Sequence, residues 1–169
     1  LAADGAVLFA VLNDSDASSD TDEGRCWVAA LDARSFAPLV PPVELPGTVA
    51  ARDAMVLSGD GACWIASRSP SAGFAFLHQL VRAGDRYEIR ERQSYSGLSR
   101  GLVVAASSEG ASVAVAIDRR VELWVDGKPG GGPILFDASI SAMCWPGDAL
   151  LVGEANRVHA LAADRSERW

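Results

Sequence analysis

The clearest alternation of apolar and polar positions lies between Ala105 and Gly127, where the chain reads AASSEGASVAVAIDRRVELWVDG. A tight turn at Glu109-Gly110 opens onto the apolar run Ala111 to Ile117. A second turn at Asp118-Arg119-Arg120 leads into Val121 to Val125, which alternates before stopping at Asp126-Gly127. Two short strands joined by such turn residues predict a β-hairpin. The same order of turn, apolar strand and partner strand recurs three more times. Asp4-Gly5 precedes Ala6 to Val11, Asp60-Gly61 precedes Ala62 to Ala66, and Gly147-Asp148 precedes Ala149 to Gly153.

Each of these runs has a partner strand. The partners are Arg25 to Leu31, Gly73 to Val81, Val121 to Val125 and Arg157 to Leu161. Further strands fit Leu39 to Leu45, Tyr87 to Gln93 and Ile134 to Phe136. Preceding strands fit Asp53 to Leu57, Gly101 to Ala106 and Ile140 to Trp145. No stretch carries a helical period. The alanine-rich pieces favour helix by propensity, but they are short, mixed with valine and isoleucine, and bounded by glycine, proline or aspartate, which decides for strand. The expected class is all-β, an array of about four small antiparallel sheets forming one domain over 1–169. The turn glycines Gly5, Gly61, Gly110 and Gly147 recur at an irregular spacing. The repeat reading therefore rests on the residue pattern more than on a period. A β-sandwich of two facing sheets is the competing architecture.

Composition narrows the function more than the fold. With 169 residues, 49% hydrophobic and 22% charged, the chain has the makeup of an ordinary globular domain. The net charge of −7 argues against a general phosphate-binding surface, so no nucleic-acid partner is expected. No apolar run is long enough to span a bilayer. Cys26, Cys63 and Cys144 are odd in number and widely spaced, each followed by tryptophan. They form neither a disulfide ladder nor a paired zinc motif. The expectation is buried thiols in a reducing compartment, and a cytoplasmic location.

Candidate chemistry is sparse. The segment 13–24, containing DSDASSDTDE, reads as an acidic, flexible loop inserted between two strands of the first unit. It lacks the glycine and glutamate that a calcium loop needs, since counting from Asp14 those places hold Ser19 and Arg25. Ser19, followed by Asp20 and Asp22, is a candidate phosphorylation site. The stretch DGKPGGGP at 126–133 is not a phosphate cradle: Lys128 precedes the glycines, and a strand rather than a helix follows. It reads as a flexible turn between the third and fourth strands of a unit. His78 and His159 both fall in the second strand of a hairpin, without closely spaced ligand partners. There is no G-x-S-x-G motif and no dinucleotide fingerprint. No catalytic residue, cofactor or metal is expected.

The segment Arg82 to Arg100 interleaves Arg82, Arg86, Arg90, Arg92 and Arg100 with Tyr87 and Tyr95. Alternation sets Tyr87, Ile89 and Glu91 on one face and Arg86, Glu88, Arg90 and Arg92 on the other. An outer-edge strand whose charges discourage edge pairing explains this pattern. The same residues, Arg82, Arg86, Tyr87, Arg90 and Arg92, are the candidate contact patch for an acidic partner.

The residues 108 to 127, with their small-residue inner strand, their turn at Asp118 and the ending Leu123-Trp124-Val125-Asp126, resemble the WD-repeat β-propeller family. The fourth unit, ISAMCWPGDALLVGEANRVHALAAD, resembles a degenerate copy with Asn156 where the turn aspartate stands. The resemblance implies a propeller of about four blades, expected to be part of a larger one. It also implies a non-catalytic scaffold that binds other proteins as a subunit of a larger complex. The alternative is a propeller-type hydrolase or oxidoreductase with its site at the central channel.

Overall fold

The computed structural model describes residues 2–4, 6–13, 25–47, 54–69, 73–84, 86–96 and 102–162. Within them every regular element is a β-strand. Four antiparallel meanders follow one another along the chain. The first comprises β1 (Ala2–Asp4), β2 (Val7–Asn13), β3 (Cys26–Asp32) and β4 (Val43–Leu45). The second comprises β5 (Met55–Leu57), β6 (Cys63–Ser69), β7 (Phe74–Ala83) and β8 (Arg86–Ser96). The third comprises β9 (Val103–Ala106), β10 (Ser112–Ile117) and β11 (Arg120–Val125), with two short outer pieces, β12 (Lys128–Pro129) and β13 (Ile134–Leu135), both paired with β11. The fourth comprises β14 (Ile140–Cys144), β15 (Ala149–Glu154) and β16 (Arg157–Ala162).

Strands pair in chain order within every sheet, and the first strands of successive sheets lie side by side: β1 by β5, β5 by β9, and β9 by β14. The sheets therefore stack in a row. Four successive sheets, instead of two facing layers, set the β-sandwich reading aside. Among the described residues no helix is long and apolar enough to cross a membrane.

The third sheet explains why Ser112 to Ile117 looks like an unbroken apolar run. Side chains of a strand alternate between its two faces. Val113, Val115 and Ile117 join the core shared with the first two sheets, whereas Ala114 and Ala116 join the core shared with the fourth. Both faces are covered, so neither set of positions can be polar. The size alternation has a consequence as well: the β-branched face packs against the second sheet, and the alanine face admits Ile140, Met143 and Leu150 from the fourth.

Specific contacts fasten each sheet to the next. Phe9 of the first meets Tyr87 of the second edge-on, with ring centroids 5.3 Å apart. Trp64 of the second and Trp124 of the third are both buried and lie 6.1 Å apart. The Tyr95 hydroxyl donates to Glu122 at 2.9 Å across the same junction, and the Arg120 guanidinium lies over the Tyr95 ring. Burial, then the Glu122 carboxylate, pushes the Tyr95 phenol above its usual range, so it stays a proton donor. Asp118, at the β10–β11 turn, accepts from the Ser139 hydroxyl at 2.6 Å and ties that turn to the approach of the fourth sheet. Gly47, which follows the first sheet, has φ 74° and presses on the second: a Cβ there would lie 2.3 Å from the Arg68 carbonyl oxygen.

Several expectations need adjustment. The turn of the opening hairpin is two residues, Asp118 and Arg119, because Arg120 already pairs with Ile117. Asp118 takes φ 53°, as this tight connection demands. The expected flexible turn at 126–133 shrinks to Asp126-Gly127, with φ 51° and 71°, since Lys128 and Pro129 pair back onto Val125 and Trp124. The strand expected at Leu39 to Leu45 is only β4, because Pro41 and Pro42 have no N–H to give a ladder. Cys26 and Cys63 are buried as expected, but Cys144, the last residue of β14, is exposed, with nothing among the described residues covering it. Of the acidic insertion 13–24, only Asn13, the end of β2, falls within the described residues.

His78 is a satisfied core histidine on one side only. It is fully buried on β7, stacks against Phe76, and its Nε2 lies 3.0 Å from the Ser67 hydroxyl. That hydroxyl donates its single proton to the Pro46 carbonyl at 2.6 Å, so His78 must be the donor to Ser67. Its Nδ1 then carries no proton and has no hydrogen-bond partner among the described residues. Burial lowers its pKa to about 4. The unfolded chain therefore binds a proton more readily than the native one below an ordinary histidine pKa of about 6.5. This contribution to stability is complete above pH 6.5 and is lost as the pH falls to about 4, amounting to roughly 3 kcal/mol.

Two measurements check these assignments. Urea midpoints for the natural chain are expected to drop between pH 6.5 and 4.5, with a flatter profile for His78→Gln; parallel profiles would refute the buried neutral histidine. Gly47→Ala is expected to cost about 3 kcal/mol or more, combining left-handed strain with a backbone clash. Gly84→Ala, with φ 69° and open space around it, should cost only about 1 kcal/mol.

Candidate functional site

The arginine-bearing strand is β8, the outer edge of the second sheet. Its regular pairing with β7 slips between Leu77 and His78, whose partners are Gln93 and Glu91, leaving Arg92 as the extra residue. Such a bulge redirects a side chain. Arg92 uses it to donate through Nε to the Gln79 side chain at 3.0 Å, with a second bond from its terminal nitrogen. Its guanidinium also lies against Gly127 of the third sheet, 3.3 Å from where a Cβ would stand. Tyr87 is occupied by Phe9. Two of the five expected contact residues therefore join neighbouring sheets. Arg82, Arg86 and Arg90 remain exposed; Arg86 pairs with Glu88 at 2.8 Å, and Arg82 donates to the Gly84 carbonyl at 3.2 Å.

A second location, not expected from the sequence, has more of the character of a site. β15 ends at Glu154, the turn Ala155-Asn156 reverses the chain with Ala155 at φ 49°, and β16 returns from Arg157. In this register Glu154 faces Arg157 and Val152 faces His159, so Glu154 and His159 are diagonal neighbours on one face. The Glu154 side chain is only 3% exposed. One of its oxygens accepts the Ala138 backbone N–H, and the other lies 2.8 Å from His159 Nε2. The Ala138 bond holds the Glu154 carboxyl below the usual range against the opposing effect of burial, and His159 and Arg157 add to it. Phe136 approaches the His159 ring edge-on at 5.1 Å.

Beside this pair opens a cavity of about 320 Å³, walled by Ile134, Leu135, Phe136, Asp137, Glu154, His159 and Leu161. One wall comes from β13 and the loop after it, the other from the β15–β16 hairpin. The broken outer strand of the third sheet thus supplies half of the cavity, and the fourth sheet the rest. Among the described residues no three or more His, Cys, Asp or Glu side chains are grouped to hold a metal ion. Cys63 offers no nucleophile: burial pushes its thiol up to about 12.

His159 stood out in the sequence, but Glu154 did not. The signal was available: in EANRVH, a two-residue hairpin turn sets a carboxylate and a histidine five apart on one face. It requires the register, which the strand pattern alone leaves open.

Tyr87→Ala is expected to cost about 2–3 kcal/mol in urea unfolding, because its ring packs on Phe9. Arg90→Glu on the same strand should change stability by no more than about 0.5 kcal/mol. Equal effects would show that Tyr87 is not a junction residue. Comparison with known proteins returns no matching family model and no matching curated protein.

Proposed function

We propose that the four meanders are blades of a WD-repeat-like β-propeller, and that the chain is a non-catalytic module for binding other proteins within a larger assembly. The observation that carries this reading is the ordered stack of antiparallel meanders with their first strands side by side, the makeup of propeller blades. A rigid stack of this kind presents loops and outer strands to partners while its interior is committed to packing. The exposed arginines Arg86 and Arg90 on the edge strand β8, with exposed Arg82 near the end of the neighbouring β7, form the contact surface of an otherwise acidic chain, and its partner is acidic.

The enzyme alternative would gather ionisable side chains around a central channel lined by the first strands. β1, β5, β9 and β14 read AAD, MVL, VVAA and ISAMC, so Asp4 is the single acid among them and there is no histidine or lysine, short of the several converging groups such a site needs. That composition favours the non-catalytic reading.

Crosslinking mass spectrometry on the full-length protein purified from its own cells tests it. Crosslinked partners should contact the surface around β8, and a triple reversal of Arg82, Arg86 and Arg90 to Glu should lower their recovery at least tenfold. A lone monomer, or recovery unaffected by the reversal, would overturn the assignment.

A further inference from the structure

We propose that the cavity between the β13 loop and the β15–β16 hairpin binds a protonated amine carried on a short aliphatic stem. The chemistry of its walls selects this ligand. Glu154 supplies a buried negative charge, already held in place by the Ala138 N–H and His159. Each carboxylate oxygen has two lone pairs, so both can accept a further hydrogen bond. Asp137 adds a second, exposed carboxylate at the cavity wall. The Phe136 ring offers the kind of aromatic surface that attracts an ammonium group. Ile134 and Leu161 line the remainder with hydrocarbon suited to a methylene stem.

Other ligand classes fit less well. An anion would meet two carboxylates, and the Nε2 of His159 is already directed at Glu154. A compact divalent ion needs several convergent oxygen or nitrogen ligands, and the described residues do not group three of them for that purpose. A single ammonium group needs one desolvated carboxylate, an aromatic ring and an apolar sleeve. Arg157 is the cation on the same hairpin. It is exposed, and its field acts on Glu154 without a hydrogen bond between them being needed. The volume of about 320 Å³ is at the small end of ligand pockets, which suits a butyl-sized amine.

The inference is independent of the scaffold reading, because the cavity would bind its ligand in an enzyme as well. The test is a titration of the isotopically labelled 169-residue chain, followed by backbone amide resonances, with n-butylammonium and, as a neutral control of the same shape, n-butanol. Saturable shifts at Ala138 and His159 are expected with the amine and not with the alcohol. Glu154→Gln should weaken binding at least tenfold. Asp137→Asn, at an exposed position that leaves the fold intact, should weaken it two- to threefold. A Gly-Lys-Gly peptide distinguishes the source of the amine: tighter binding than n-butylammonium assigns the site to a lysine side chain of a protein, and equal or weaker binding assigns it to a free amine. Shifts spread over the surface without saturation, equal response to the alcohol, or undiminished binding by both variants would overturn the proposal.

Discussion

The fold depends on covering both faces of each inner sheet. A β-sheet with one apolar face can rest against solvent on the other, but the third sheet has no polar face at all. Its middle strand reaches that condition with the simplest device, a valine or isoleucine on one side and an alanine on the other at each step. At roughly 25 cal/mol per Å² of apolar surface, the buried tryptophan pair at the junction of the second and third sheets makes one of the larger local contributions. The junction cannot open without exposing it. Stability is consequently shared between neighbours, sheet against sheet, as in other stacked arrays.

Polar contacts then set how the sheets are aligned. Apolar faces by themselves slide, whereas the Tyr95–Glu122 and Asp118–Ser139 bonds each require one placement. They also account for why the edge strand β8 is less available than its composition suggests. Its aromatic residues and one of its arginines are turned inward by pairing and by the bulge, so the arginines it leaves exposed are Arg86 and Arg90. The cavity at the other end of the array has a similar origin. It exists because the outer strand of the third sheet breaks into β12 and β13, and the Ile134–Asp137 segment is free to lean on the fourth sheet.

The hairpins were legible in the sequence because turn residues mark them locally. Asp126-Gly127 requires two left-handed residues, and the chain supplies a glycine and an aspartate at that point. The strand partners of all four meanders followed from the same punctuation. What was not legible depends on register and on neighbours distant in sequence. Arg92 changes its role because of one extra residue opposite His78. Cys144 resembles the other two cysteine-tryptophan pairs in sequence but differs in burial, since nothing among the described residues stacks over its side of β14. Glu154 carries no local mark of function, and its meaning comes from Ala138, sixteen positions earlier.

The split outer strand of the third sheet has a further consequence. Gly131, Gly132 and Pro133 are exposed and join two short strand pieces that pair independently with β11. Extra chain entering there would leave both pairings and the apolar layers untouched, and lengthening such a surface connection costs little entropy. The protein therefore carries a natural port for grafting a fluorophore-binding tag or a guest domain, placed within a few residues of the amine cavity and able to report on its occupancy.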